Sequence, residues 1–271
     1  MSLYIVETKE DMSRLAYQII LETILTKDKA TLGLATGSTP EGIYDYFVND
    51  KPDLSHVTTV NLDEYIGLSP TDEQSYAYYM KTKLFDHVNF NASYLPDGTN
   101  LDHASECARY DEILANFTPD LQLLGIGTNG HIAFNEPGTS PELTTHVAQL
   151  TNETIASNAR FFNSIDEVPT LAYTMGIKSI MSAKKVLLVA DGEAKAQAIK
   201  DLVEGEISEE IPASILKTHP DITVIVDKLA ASKLDLDLSR KSGCCGGGGG
   251  CGCSGHGEEE NSGGCCGGGC H

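Results

Sequence analysis

The segment ATLGLATGSTPEGIYDYFVN, residues 30–49, decides the fold class of this chain. Its first six residues are mostly apolar and predict a short buried strand, which the polar turn TGSTP follows. Pro40 suits the first position of a helix, where its missing N–H group costs nothing, so EGIYDYFVN is expected to be helical with Thr39 as its N-cap. A strand that turns directly into a helix is one unit of an α/β fold.

The alternation of strand and helix continues along the chain. Such alternation is typical of a parallel sheet that is covered by helices on both faces. No internal repeat or linker interrupts it, so we expect one doubly wound, mainly parallel, Rossmann-like α/β domain over residues 1–239. The predicted strands lie at 30–35, 56–62, 121–127, 146–150 and 221–227, the predicted helices at 10–25, 41–49, 75–85, 103–117 and 153–162, and one further strand and helix within 179–205.

The charge balance limits the partners of the chain. With 39 acidic against 19 basic residues, the formal net charge is -20 at pH 7. Such a field repels nucleic acids and anionic membranes, so neither is expected as a partner. No apolar run is long enough to cross a bilayer, and the N-terminus lacks the basic start and apolar block of a secretory signal. Cys107 is the one cysteine before residue 240, which indicates a reducing compartment, and we expect a cytoplasmic protein.

Four polar turns are expected at the carboxyl ends of the predicted strands, at residues 36–40, 63–65, 128–136 and 191–195. Open parallel sheets bind ligands beyond this edge. Each turn taken by itself is also compatible with an ordinary loop. Because all four are expected at one edge, their clustering indicates a binding or catalytic site.

One group of candidates could bind an anion. The turn Gly37–Ser38–Thr39 offers free N–H groups and the positive end of a helix dipole. Arg160 can hold a phosphate in a bidentate manner, and Lys195 lies near the start of a helix, where a cation is unfavourable unless it serves a bound anion. The alternatives are an ordinary capped turn and two solvated surface charges. Taken together, these residues predict a phosphate pocket.

A second group could move protons. Asp63 and Glu64 are adjacent, so in extended backbone one can face the crevice as a base while the other has a structural role. His131 can transfer a proton near neutral pH, and Asn129 or Glu136 can fix its tautomer. The alternatives are a capping acid and a histidine that satisfies loop carbonyls. No metal is expected in residues 1–239, because one histidine followed by an acid five residues later is not a metal-binding spacing.

The motifs TGSTP, NLDEYIGL, GTNGHIAFNEPG, NARFF and DGEAKA, in this order, closely resemble those of glucosamine-6-phosphate deaminases, and the likeness covers about residues 1–238. The resemblance implies conversion of glucosamine 6-phosphate and water to fructose 6-phosphate and ammonia without a catalytic cofactor. It implies that Asp63 moves a proton between C2 and C1, and that His131, aided by Asn129 and Glu136, opens the sugar ring. It also implies five phosphate-binding residues: Gly37, Ser38, Thr39, Arg160 and Lys195.

The resemblance is to the short members of that family. Longer, allosterically controlled relatives carry basic residues soon after the NEP element, where this chain reads THVAQL with His146 and Ala148. We therefore expect no activation by N-acetylglucosamine 6-phosphate. The expected assembly is a monomer or a small homo-oligomer.

Residues 240–271 differ in composition from the rest of the chain. Seven of the eight cysteines and 14 of the 26 glycines follow Lys241, and so few apolar groups predict a disordered tail. The tail resembles the metal-binding tail of SlyD-type prolyl isomerases, and its soft ligands suit Zn, Ni or Cu. The alternative is a fusion segment without a physiological role. The candidate ligands are Cys244, Cys245, Cys251, Cys253, His256, Cys265, Cys266, Cys270 and His271.

Two other functions compete with the deaminase interpretation. A 6-phosphogluconolactonase shares the architecture and a related Gly-His turn, but it does not need the base of NLDEY, and FNEP favours the deaminase. A non-catalytic sugar-phosphate sensor domain would not need Asp63 and His131 together. The chain has no helix-turn-helix segment, and its negative charge disfavours DNA.

Overall fold

The computed structural model describes residues 1–159, 162 and 164–235, and Met1–Leu234 form one compact unit. Arg160 and the whole predicted tail lie outside the described residues. None of the helices in the described part has the length and hydropathy needed to cross a bilayer.

Seven parallel strands form the central sheet, in the order β1-β10-β9-β6-β2-β3-β5. The inner strands β2, β6, β9 and β10 are buried along their whole length, because helices and loops cover both faces of the sheet. This confirms the predicted doubly wound α/β fold. The strands are β1 Ser2–Val6, β2 Ala30–Leu34, β3 Leu54–Asn61, β5 Phe90–Tyr94, β6 Leu121–Leu124, β9 Val186–Ala190 and β10 Ile222–Asp227.

A small antiparallel sheet, which was not predicted, joins the carboxyl edge of the central sheet. It has the order β4-β8-β7 and consists of β4 Asp63–Tyr65, β8 Leu171–Thr174 and β7 His146–Gln149. Residues 146–150 were predicted to form a strand, and they do so here rather than in the main sheet. The backbone N–H of Met175 donates to the carbonyl of Leu62 at 2.7 Å, which fixes the small sheet to the end of β3.

The edge strands β1 and β5 were missed, although their sequences SLYIV and FNASY are compatible with strands. Every residue of both strands is partly or fully exposed, so neither forms a buried apolar run like those of the inner strands. The predicted helix at 75–85 is α3 followed directly by one π-helical turn, Lys81–Phe85. The α-helices are α1 Lys9–Ile24, α2 Glu41–Asp50, α3 Tyr76–Met80, α4 His103–Asn116, α5 Asn152–Asn158, α6 Ile177–Met181 and α7 Ala196–Glu204.

Candidate active site

The four predicted polar turns meet around one cavity of about 620 Å³ at the carboxyl edge of the central sheet. Residues 36–40, Asp63, residues 125–129, His131 and Lys195 all contribute to its lining. Glu136 lies behind this lining, in contact with it. Within the described residues the four turns therefore lie close together, although they come from four widely separated parts of the chain.

Strand β4 turns the adjacent acids Asp63 and Glu64 to opposite sides, as expected for extended backbone. Asp63 faces the cavity. The carboxylate of Glu64 points away from it and accepts the backbone N–H groups of Tyr65 at 2.8 Å, Tyr76 at 2.9 Å and Ala77 at 2.8 Å. The pair thus divides into one acid that is available to a ligand and one that is fully engaged by the fold.

The surroundings of Asp63 favour its protonated form. The residue is only 6% exposed, and its carboxylate forms no hydrogen bond within the described part of the chain. Burial, and then the nearby Glu64 carboxylate, raise the pKa of Asp63 to about 8. A carboxylate with such a high proton affinity is a stronger base than an ordinary aspartate, which suits proton abstraction from carbon.

His131 is held by an amide that bridges to a carboxylate. Its Nδ1 lies 2.8 Å from Asn129 Oδ1 and 3.5 Å from Glu136 Oε2, and Asn129 Nδ2 donates to the same Glu136 oxygen at 2.9 Å. Both neighbours of Nδ1 are acceptors, so we assign the proton of the neutral ring to Nδ1. Nε2 then keeps a lone pair and can accept a proton.

Glu136 supplies a permanent negative charge behind the imidazole. Burial opposes its ionisation, but the contacts with His131, Thr154 and Asn129 outweigh burial and lower the pKa of Glu136 to about 2. The hydroxyl of Thr154 donates to Oε1. Glu136 is therefore a carboxylate at any physiological pH, and it stabilises the imidazolium that forms when His131 takes a proton.

Gly127 positions His131, and the sequence analysis missed this role. A Cβ at residue 127 would lie 2.2 to 2.5 Å from ring atoms of His131. The imidazole therefore lies directly against the glycine backbone, and any larger residue would push the ring aside. A glycine at the end of a strand, just before a His-containing turn, is the signal that could have indicated it.

The turn that was predicted to bind an anion forms the other half of the cavity. Gly37 has φ of 109°, and a Cβ added there would meet nothing within 4 Å, so the backbone of this turn is open to a ligand. The prediction that Thr39 caps α2 was wrong. The helix begins at Glu41 without a side-chain cap, because the hydroxyl of Thr39 donates to Asp191 Oδ1 at 2.6 Å instead.

Lys9 supports this anion turn from outside and was also missed. Its ammonium donates to the carbonyl of Ser38 at 2.8 Å and lies 3.1 Å from Asp191 Oδ2. Asp191 thus contacts both Lys9 and Thr39. Lys195, which follows Asp191 closely in the sequence, also lines the cavity. No local pattern relates Lys9, at the start of α1, to a turn that follows the next strand.

An aromatic wall closes the space near Asp63. The ring of Tyr65 lies 4.8 Å from that of Tyr76, 5.7 Å from that of Phe134 and 5.9 Å from that of Phe162, measured between centroids. All four rings line the cavity. They keep water from the buried acid, which is a physical reason for its high proton affinity.

A buried acid, a histidine held by an amide and a glycine turn with open backbone lie around one cavity at the carboxyl edge of the sheet. Such an arrangement is typical of an enzyme active site. Residues 7–225 match the family described as "Glucosamine-6-phosphate isomerases/6-phosphogluconolactonase". The chain belongs to this family.

A protein of Lactobacillus delbrueckii subsp. bulgaricus named "Glucosamine-6-phosphate deaminase" is 51% identical over 234 residues, which cover 86% of this chain and 100% of the relative. One of the same name from Bacillus cereus is 51% identical over 232 residues, covering 86% of this chain and 88% of the relative.

Solved structures give the same relationship. The structure of a monomeric glucosamine-6-phosphate deaminase superposes with a TM-score of 0.84 at 46% identity, over 86% of this chain and 99% of the other. A 6-phosphogluconolactonase from Trypanosoma brucei reaches a TM-score of 0.73 at 18% identity, over 86% and 98%. The lactonase therefore shares the fold, and the deaminases are much nearer in sequence.

Proposed function

We propose that this enzyme converts D-glucosamine 6-phosphate and water to D-fructose 6-phosphate and ammonia. The observation that carries the proposal is the arrangement of Asp63 and His131 on one cavity that also contains the anion turn at Gly37. The names of relatives about half identical over nearly their whole length support it. The lactonase alternative has only a distant relationship of fold in its favour.

Ring opening is the first step, and we assign it to His131. In a cyclic sugar the anomeric hydroxyl must lose a proton and the ring oxygen must gain one. The unprotonated Nε2 of His131 can take the first proton and deliver it to the ring oxygen, which releases an open-chain aldehyde. Asn129 orients the imidazole, and Glu136 stabilises its transient positive charge.

Enolisation follows, and we assign it to Asp63. The carboxylate takes the proton from C2, whose bonding electrons form the C1–C2 double bond of an enolamine while the carbonyl oxygen gains a proton. Return of a proton to C1 gives a C2 imine. Water adds to that imine, and ammonia leaves, so no redox change or cofactor is required.

The phosphate is assigned to the exposed half of the cavity. The backbone of Gly37, Ser38 and Thr39 offers N–H groups, and Lys195 contributes a positive charge. Arg160 completes the proposed set by resemblance, and its position lies outside the described residues. Holding the phosphate fixes the distance of C1 and C2 from the acid and the histidine.

One assay separates the candidate functions. The unaltered enzyme is incubated with glucosamine 6-phosphate while ammonia and fructose 6-phosphate are measured, and in parallel with 6-phosphogluconolactone. Equal release of the two products supports the deaminase. Lactone hydrolysis without ammonia would instead identify a lactonase, and binding of the amino sugar phosphate without turnover would indicate a sensor.

We also propose a monomer or small homo-oligomer in the cytoplasm, without activation by N-acetylglucosamine 6-phosphate. The monomeric deaminase with a similar fold supports the first point. Sedimentation tests the assembly. A sigmoidal rate curve that this compound makes hyperbolic would contradict the expected absence of control.

The division at residue 239 and the tail are a separate proposal. We propose that residues 240–271, which lie outside the described residues, bind Zn, Ni or Cu through their cysteines and histidines. Metal titration of the full chain and of a chain ending at Ser239 tests this. Equal stoichiometry in the two would overturn it.

A further inference from the structure

Glu64 has contacts that the proposed reaction does not use. Its side chain is 2% exposed and accepts three backbone N–H groups, two of which belong to the first residues of α3. Its Oε1 accepts from Tyr65 and Tyr76, and its Oε2 accepts from Ala77. Within the described residues, no lysine or arginine pairs with it. The buried carboxylate of Glu64 therefore binds backbone N–H groups.

The backbone around Glu64 is also tightly packed. A Cβ at Gly98 would lie 2.2 Å from the carbonyl oxygen of Tyr65 and 3.2 Å from Glu64 Cγ. The N–H of Gly67 donates to the carbonyl of Gly98 at 2.8 Å, so the loop after β5 closes over strand β4. These contacts leave Glu64 little room to move, and Asp63 precedes it on the same short strand.

We propose that Glu64 is a positioning residue for Asp63. It fastens β4 to the start of α3, which carries the cavity-lining Tyr76, and it holds a negative charge beside the base that strengthens the affinity of Asp63 for a proton. This inference rests on the proposed function, because it assigns Asp63 the role of the base.

The contacts of Glu64 support the role of its charge. Burial raises the pKa of Glu64, but its three N–H bonds act in the opposite direction and favour the carboxylate. That carboxylate, after burial, is the second cause of the raised pKa of Asp63. The other titratable groups near the two acids are Tyr44 on α2, Tyr76 on α3, Tyr110 on α4, Asp97 after β5, Tyr173 opposite Glu64 on β8, and His131 across the cavity.

The first test is the pH profile of kcat/KM in the Glu64→Gln variant. An amide is close in shape but has no charge, and its NH₂ group cannot accept an N–H. The acid limb should move to lower pH by about one unit, and the plateau rate should fall about 10-fold or more because a weaker base is less well aligned.

Glu106→Gln is the matched control, since Glu106 is also wholly buried and accepts the N–H of Asp97 at 2.7 Å. The control should lower stability without moving the limb. An acid limb in Glu64→Gln at the same pH as in the unaltered enzyme would overturn the proposal.

A second measurement uses the unaltered enzyme and covers the case in which the variant does not fold. Nuclear magnetic resonance follows the amide protons of Tyr76 and Ala77 against pH. Both should shift together in one step, because the same carboxylate binds both N–H groups. Amide shifts that move in separate steps, or that show no step at any pH at which the enzyme stays folded, would refute a Glu64 carboxylate that binds both groups. This titration needs no turnover, so its result stands even if the enzyme releases no ammonia from glucosamine 6-phosphate.

Discussion

The two halves of the cavity are built by opposite means. In the proton-transfer half, Asp63 is 6% and Glu136 is 7% exposed, and both have strongly shifted pKa values in opposite directions. In the anion half, the side chain of Lys9 is 41% exposed and that of Asp191 is 21% exposed, and the backbone of the turn at Gly37 opens to the cavity.

The two halves of the cavity differ in exposure, and this difference separates the proposed proton transfer from the proposed binding of phosphate. Burial changes the proton affinity of an acid, because charge is costly away from water unless donors compensate it. Within the described part of the chain Asp63 has no such donor, whereas Glu136 accepts from Asn129 and Thr154. An exposed anion site cannot shift protons in this way, but it can hold a phosphate dianion by charges and N–H groups at little cost in desolvation.

The largest expected effect concerns the base. Asp63→Asn keeps the shape of the side chain and removes its ability to take a proton, so kcat should fall about 1,000-fold or more while KM changes little. Steady-state rates of ammonia release measure this. A variant that keeps a tenth of the activity would show that the proton from C2 goes elsewhere.

The pH dependence follows from the raised pKa of Asp63. The base must be ionised to act, so kcat/KM should fall about 5-fold between pH 8 and pH 7 and about 50-fold between pH 8 and pH 6. An ordinary aspartate would be fully active at pH 6. A profile that stays flat down to pH 6 would contradict the effect of burial on this acid.

The contact of Gly127 with His131 can be broken without removing a titratable group. In Gly127→Ala the new methyl group would displace the imidazole, and we expect kcat to fall about 10- to 100-fold with the fold intact. Gly125→Ala is the matched comparison, because a Cβ there meets nothing within 4 Å. Equal losses in the two variants would argue against a role specific to residue 127.

The anion half should respond in KM rather than in kcat. Lys195→Gln is expected to raise KM about 10-fold and Lys9→Gln about 2- to 3-fold, since Lys9 acts through Ser38 and Asp191 rather than from the cavity lining. Added salt should raise KM of the unaltered enzyme more than that of Lys195→Gln. Lys81→Gln, at an exposed ion pair with Asp86, is the control and should leave KM unchanged.

The smallest expected effect concerns stability. Asp63→Asn should stabilise the fold although it removes activity. Asp63 binds its proton more tightly in the folded than in the unfolded chain, so its contribution to stability falls as pH rises from about 4 to about 8. Asp63→Asn should therefore raise the free energy of unfolding at pH 7 by about 1–3 kcal/mol, or Tm by about 2–6 °C. The difference in Tm from the unaltered enzyme should vanish near pH 4. A gain that persists there would have another cause.

The sequence was informative where local pattern and structure coincide. The strand–turn–helix units predicted the parallel sheet, and the adjacency of Asp63 and Glu64 predicted that they face opposite ways. The prediction for Thr39 failed, because a hydroxyl in a turn can either cap a helix or donate to a distant acid. In the structure it donates to Asp191. The antiparallel strands of the small sheet were too short and too mixed in composition to be recognised as a sheet.

The sequence predicted the alternation of strands and helices along most of the chain, the edge at which the candidate site lies, and the residue types that could carry acid–base chemistry. These depend on periodicity and on neighbours along the chain, which the sequence contains directly. The tertiary structure was needed to show that Gly127 lies against His131, that Lys9 binds the carbonyl of Ser38, and that Asp63 has no hydrogen-bond donor among the described residues. Distances and burial arise from packing between segments far apart in the chain, so no local pattern records them.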